Sequence, residues 1–283
     1  MLVSRWTGLA ALAGVLALGG PYGANALAAA PLTAPALSYA DLVDLTDSSA
    51  FVIRAQIRDV VLLPHERAPD VQPGYGRIYV EATPLEGLRG RAPQVPMLRY
   101  LADVKLNEKG KLPSYKKVPV LLFARGGAPG SPDIQLVAPD AQVLWSADLD
   151  ARTRSLINEL GANDAPPRLS GVTQALYEPG NLVGEGETQL FLSTANGQPA
   201  TITVLHKPNQ PTNWSVSFSE VVNARGRPPA PETLAWYRLA CGLPKALPHG
   251  VNVSDDNDDR VQAAMDYAAV LHDLGPCERL RGQ

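Results

Sequence analysis

Proline and glycine recur 26 and 24 times in the 283 residues of this chain, so few stretches run long enough for an extended helix. Proline removes a backbone donor and fixes φ, glycine loosens the backbone, and together they cut the chain into short segments that favour strands and turns. Between these breaks the apolar residues follow recognisable periods. Phe51, Ile53, Ala55 and Ile57 alternate with Val52, Arg54, Gln56 and Arg58, the period of two of a half-buried strand. After a proline-containing loop over 64–76, Ile78, Val80 and Ala82 mark one face of a second strand over 77–83. Further strands are expected over 95–101, 118–124, 133–137 and 142–146. Ser38 is placed to cap a short helix running through Asp41 to Leu45. Asp148 or Asp150 begins another helix, with Leu156, Ile157 and Leu160 on one face and Gly161 as its stop. Five or six short strands with one or two small helices predict a small closed or nearly closed β barrel over residues 38–163.

Composition shifts at 162–168, where two prolines follow Asn163 and Asp164, and a domain boundary is expected there. Beyond it, over 168–283, Asn196-Gly197 separates two alternating segments, a strong hairpin signal. Leu190 and Leu192, then Ile202 and Val204, then Trp214, Val216 and Phe218 line one face of a three-stranded antiparallel meander. Such a face needs a cover. Two C-terminal helices are expected to supply it. In the first, Leu234, Tyr237 and Cys241 share a face; in the second, over 258–274, Val261, Met265, Ala268 and Leu271 form the apolar stripe. The fold class is thus mainly β with α.

The N-terminus carries Arg5, an apolar stretch from Leu9 to Leu18, then Gly19, Gly20 and Pro21. This is the layout of a signal peptide over 1–28, with Ala26-Leu27-Ala28 as an A-x-A site and cleavage after Ala28. A permanent anchor would have to hold Gly19 to Pro21 in the hydrocarbon, so no membrane span is expected in the mature chain. Residues 29–37, rich in Ala and Pro, read as a flexible leader. The localisation expected is exported, periplasmic or secreted. In such a compartment the two cysteines, Cys241 and Cys277, are expected to pair; unpaired buried thiols are the alternative.

The chain has no G-x-S-x-G, H-E-x-x-H, G-x-x-x-x-G-K-[ST] or C-x-x-C. His65-Glu66 is followed by Arg67, Ala68 and Pro69, which leaves no second histidine on a helix, and Gly74-Tyr75-Gly76 enters a strand instead of leaving one. The remaining histidines, His206, His249 and His272, are isolated in sequence. His206 reads as a partly buried structural residue, with a base or ligand role as the alternative; a Ser-His-Asp set would draw on Ser217 or Ser219. Asp255, Asp256, Asp258 and Asp259 resemble a calcium loop, but Arg260 stands where the loop needs glycine, and acids at a helix N-terminus explain them. No catalytic residue, metal ligand or cofactor is assigned.

Lys105, Lys109, Lys111, Lys116 and Lys117 gather in and around one barrel loop, with Arg99 and Arg125 on adjacent strands. A solvated loop is the plain reading, and contact with an anionic polymer or an envelope partner protein is the functional one. Nucleic acid is not expected: the formal net charge is −3, and only Tyr100 and Tyr115 lie near enough in sequence to stack on bases.

The stretch from Ala50 to Gly90, with Leu85-Glu86-Gly87-Leu88-Arg89-Gly90 after its second strand, resembles the start of OB-type barrels in secreted bacterial proteins of unknown function. It is also similar to the barrel of netrin and tissue metalloproteinase-inhibitor domains. Those inhibitors reach the protease metal through a disulfide-tethered N-terminal cysteine, and this chain has no cysteine before Cys241, so that activity does not carry over. The function expected is a non-catalytic envelope binding or accessory module, with a hydrolase acting near the domain junction as the alternative.

Overall fold

Ser38 and Asp41 bracket the first helix reciprocally. The Ser38 hydroxyl accepts the Asp41 N–H at 3.0 Å and the Asp41 carboxylate accepts the Ser38 N–H at 3.1 Å, a capping box that starts α1 (Tyr39–Ser48). These details come from a computed structural model, which describes residues 32, 36–127, 130–219 and 226–281. The expected signal peptide and its cleavage point after Ala28 lie outside the described residues, as do 29–31 and 33–35 of the expected leader.

The first sheet is antiparallel. Its strands are β1 (Phe51–Leu62), β2 (Tyr75–Arg89), β3 (Leu98–Lys105), β4 (Pro119–Arg125), β5 (Gln135–Leu136) and β6 (Gln142–Leu144), in the order β3-β2-β1-β4-β5, with β6 also on β4. Ile53, Ile57, Ile78, Val80, Leu98, Leu121 and Phe123 are buried with Leu42 and Leu45 of α1 and Leu149 and Leu156 of α2 (Ala147–Gly161). Each large side chain so buried contributes roughly 1.5–3 kcal/mol relative to exposure. Gly90 ends β2 at φ +66°, where a Cβ would lie 2.0 Å from the Ala50 carbonyl oxygen, so only glycine fits. The sheet is not a closed barrel. Its edges meet at one isolated parallel bridge, Arg99 to Asp133.

The second sheet holds four strands, not the expected three: β7 (Leu169–Pro179), β8 (Gly186–Thr194), β9 (Ala200–His206) and β10 (Asn213–Ser217), in the order β10-β9-β8-β7. β7 pairs with β8 through two register shifts, at Leu169/Gly171 and Val172/Gln174, and those irregularities break the alternation that would mark it as a strand. The third meander strand was expected over 214–222, and its residues 220–222 lie outside the described residues. Leu190 pairs with Ile202 and Val204 with Trp214.

Helices α3 (Leu234–Gly242) and α4 (Asn257–Leu274) cover this sheet, and α4 does so with a face different from the one expected. In α3 the residues turned inward are Leu234, Trp236, Arg238 and Leu239. In α4 they are Ala263, Asp266, Tyr267, Val270 and Leu274, whereas Val261 and Met265 are 51% and 61% exposed. The α4 rotation has a polar cause. Asp266 and Tyr267 find hydrogen-bond partners inside, and a satisfied polar face competes with an apolar stripe that is no wider.

Cys241 and Cys277 form a disulfide, with Cα atoms 5.2 Å apart, tying the last turn of α3 to the residues after α4. The strap beyond Cys277 reaches the first sheet's layer. Arg279 Nε donates to Asp44 at 2.6 Å, Leu280 N–H to Asp41 at 2.8 Å, and Arg281 Nε to Asp140 at 3.0 Å. Asp47 of α1 accepts from Arg168 and Arg238, each at 2.9 Å. Tyr237 donates to Asp44, and its hydroxyl pKa is pushed up to about 12 by burial and by that bond. Among the described residues, no helix is long and apolar enough to cross a membrane.

Candidate functional site

The connection from β3 to β4 has to pass β2 and β1, because those strands lie between its ends in the sheet. Four of the five clustered lysines ride on this crossing, and Lys105 ends β3 just before it. Leu112, Tyr115 and Val118 turn inward against the first core, and Tyr115 is 7% exposed. Lys105, Lys109, Lys111, Lys116 and Lys117 face outward and are exposed.

Local chemistry fixes the outward turn. The Asn107 side-chain oxygen accepts the N–H groups of Lys109 at 3.0 Å and Lys111 at 2.9 Å, while the Asn107 N–H donates to the Lys111 carbonyl at 2.9 Å. Gly110, at φ +67°, lets the chain close between them. The crossing rejoins the sheet where Lys117 N–H meets the Ile57 carbonyl at 2.9 Å. Lys117 stands there at φ +64°, a conformation that disfavours a residue with a Cβ by roughly 1 kcal/mol.

Five of the chain's seven lysines lie within 105–117, against one acid, Glu108. Every ion pair among the described residues is made by arginine or histidine, and none by lysine. These ammonium groups are therefore not spent on holding the fold. The neighbouring arginines differ: Arg99 is bound to Asp133 at 2.9 Å, and Arg125 reaches the Val137 carbonyl at 3.5 Å. Tyr100 and Tyr115 are both buried, and Tyr100 donates to Gln142 at 2.7 Å, so neither ring is offered to a base.

The second polar cluster was not legible as a set. His206, at the end of β9, has Nε2 2.9 Å from both oxygens of Asp266 on α4. Asp266 is 3% exposed and also accepts from Thr188 on β8 and from Gln262 Nε2 at 2.9 Å. Its carboxylate is thus saturated by three side chains, which is what allows its burial. The ring's Nδ1 lies 3.4 Å from the Thr212 hydroxyl, and Tyr177 stands edge-on at 6.1 Å. Ser217 is elsewhere. It pairs with Thr201, at the other end of β9, and its hydroxyl bonds to Ser219.

The other singled-out residues have plain surroundings. His65 and His249 are exposed, and the His272 side chain is 90% exposed beside Asp273. Asp256 caps α4 by accepting the Asp259 N–H at 2.9 Å, so the acidic run sits at a helix N-terminus as expected. There, burial and the charges of Asp256, Asp255 and Asp258 raise the Asp259 carboxyl above its ordinary value.

No protein-family model matches the chain, and no curated protein matches it significantly.

Proposed function

We propose that this chain is an exported, non-catalytic accessory module that docks on an anionic polymer through the lysines of the β3–β4 crossing. One observation carries the reading: five exposed lysines, unpaired within the described residues, are held outward at the end of β3 and on a crossing whose Leu112, Tyr115 and Val118 pack against the core. Ammonium groups presented this way attract polyanions through additive, screened Coulomb interactions. The disulfide supports export, since such bonds persist in oxidising compartments. The Arg99–Asp133 bridge supports kinship of the first sheet with OB-type small barrels.

Retention on immobilised heparin and on poly-L-glutamate tests the proposal. Wild-type protein is expected to bind at about 0.05 M salt and to release well before about 0.5 M. Lys109→Glu, Lys111→Glu and Lys116→Glu together should weaken binding at least tenfold, whereas Lys245→Glu should not. Binding that survives the triple reversal, or its absence in wild type, ends the proposal.

A hydrolase is the second reading, favoured by the Thr212–His206–Asp266 alignment, in which a buried carboxylate orients an imidazole whose second nitrogen faces a hydroxyl. Ester hydrolysis abolished in both His206→Gln and Thr212→Val would establish it; a rate indifferent to both would remove it.

A further inference from the structure

Helix α4 turns the Asp266 carboxylate inward and leaves Val261 and Met265 outside. The stripe that the sequence offers to the core is thus largely in water: Val261 is 51% and Met265 61% exposed, and Ala268 is exposed with them. Ala264 and Ala269 flank the stripe and are exposed as well. From Val261 to Leu271 the one charged residue is Asp266, and it is 3% exposed. About three turns of helix surface therefore meet water without a charge. A solvated helix face normally carries charged or polar side chains, and a helix apolar on both faces belongs in an interior. Single exposed apolar residues are ordinary, whereas a contiguous run of them marks an interaction surface.

The ends of the stripe select what covers it. Asp258, Val261, Met265, Ala268 and His272 follow one another at intervals of three, four, three and four residues, the spacing of a coiled-coil seam. Asp258 is exposed at one end, and at the other the His272 side chain is 90% exposed, with Asp273 3.6 Å from its Nδ1. An acid, an apolar middle and a base form a string that is complementary to its own reversal. Laid antiparallel on a second α4, Met265 falls opposite Ala268 of the second copy, a long side chain over a short one, and Val261 falls opposite His272. Asp258 then lies one turn from that imidazole. Asp255, Asp256 and Asp259 add to the negative end, against Arg260, so its field favours an approaching imidazolium. Parallel packing would instead set acid against acid.

We propose that α4 is a self-association face, pairing antiparallel with α4 of a second copy about a two-fold axis between Met265 and Ala268. An isologous contact of this kind is closed, so it yields dimers and stops there. Ala264, Ala268 and Ala269 let the two helix axes approach to the roughly 8–10 Å usual for packed helices. One helix pair makes a small interface, below about 1,200 Å², so the dimer forms and parts readily.

The test is sedimentation velocity with light scattering on the full oxidised protein, over roughly 1 µM to 1 mM as suits a small interface. The average mass should climb from one chain towards two. Met265→Glu, at an exposed site, should fold and weaken dimerisation about tenfold or more, because it buries a charge in the seam. Asp258→Lys and His272→Glu should each weaken it about fivefold, and the two together should restore it, since the charges at the ends of the seam are then exchanged. Val183→Glu, at a side chain 100% exposed in the β7–β8 connection, should change nothing. The lysine triple reversal should likewise leave dimerisation intact, which separates this face from the polyanion surface. A chain that stays monomeric throughout, a dimer that survives Met265→Glu, or a double charge exchange no better than its parents would overturn the proposal. So would weakening by Val183→Glu, which would mean unspecific adhesion. Co-sedimentation of the monomer with phosphatidylcholine vesicles, abolished by Met265→Glu, would give the face to a lipid surface instead.

Discussion

Removing the Cys241–Cys277 bond should loosen far more than a peripheral loop. The two cysteines are 36 residues apart in sequence, and in the chain-entropy description a closure of that size is worth about 4 kcal/mol. The bond also confines the strap that carries Arg279, Leu280 and Arg281 to Asp44, Asp41 and Asp140. Asp41 is 1% exposed, so a strap that departs leaves a buried carboxylate with two fewer N–H donors, Leu280 and Arg281. For a chain of this size, about 4 kcal/mol corresponds to roughly 8–16 °C in Tm. The assay is thermal unfolding by circular dichroism of the oxidised protein, the reduced protein and the Cys241→Ala/Cys277→Ala variant. Asp140→Asn provides an internal control. It should lower Tm measurably while the bond is intact and hardly at all once the bond is gone, because the ion pair with Arg281 is then already lost. A double variant melting within about 2 °C of oxidised wild type, or an Asp140→Asn effect equal in both backgrounds, would refute the reasoning.

Two further perturbations probe other parts of the fold. Asp266→Ala strands the Thr188 hydroxyl and the His206 ring nitrogen and should cost about 3 kcal/mol in urea unfolding; adding Thr188→Val should recover part of that loss, and an Asp266→Ala protein as stable as wild type would contradict the lock. Burial raises the Asp47 carboxyl, but the hydrogen bonds from Arg168 and Arg238 outweigh it, so its pKa is below the ordinary value of 3.8. The stabilisation is therefore complete above the unfolded pKa and lost as pH falls through the lower, folded one. The Tm gap between wild type and Asp47→Asn should be widest near neutrality and close below about pH 4, and a gap constant across that range would show that protonation of Asp47 is not coupled to folding.

What could be read from the sequence was what local pattern determines. β1 and the β8–β9 hairpin carry clean alternation, Asn196-Gly197 occurs in the connection between the hairpin strands, and a chain with two cysteines offers one pairing. β7 was missed because bulges near Gly171 and Thr173 shift its side chains out of phase. The inward face of α4 was misread for a different reason. Hydropathy favours Val261 and Met265, but Asp266 goes inside because Thr188 and His206, 78 and 60 residues away, meet it there. The lysine crossing was visible as composition, whereas the arginines that answer α1 were not. Their only local trace is the spacing of Asp44 and Asp47 along one side of α1, and the cations that pair with them come from 121 to 235 residues downstream.

The bond between Asp41 and the Leu280 backbone spans 239 residues. A polypeptide emerging N-terminal end first exposes Asp41 long before that partner exists, so Leu42 and Leu45 can pack on the first sheet while the carboxylate still waits for its C-terminal donors. Sulfur oxidation then confines the strap, and the strap supplies the last donors to the earliest helix. Oxidation timing thus sets when these long-range ties, rather than the two cores, are completed.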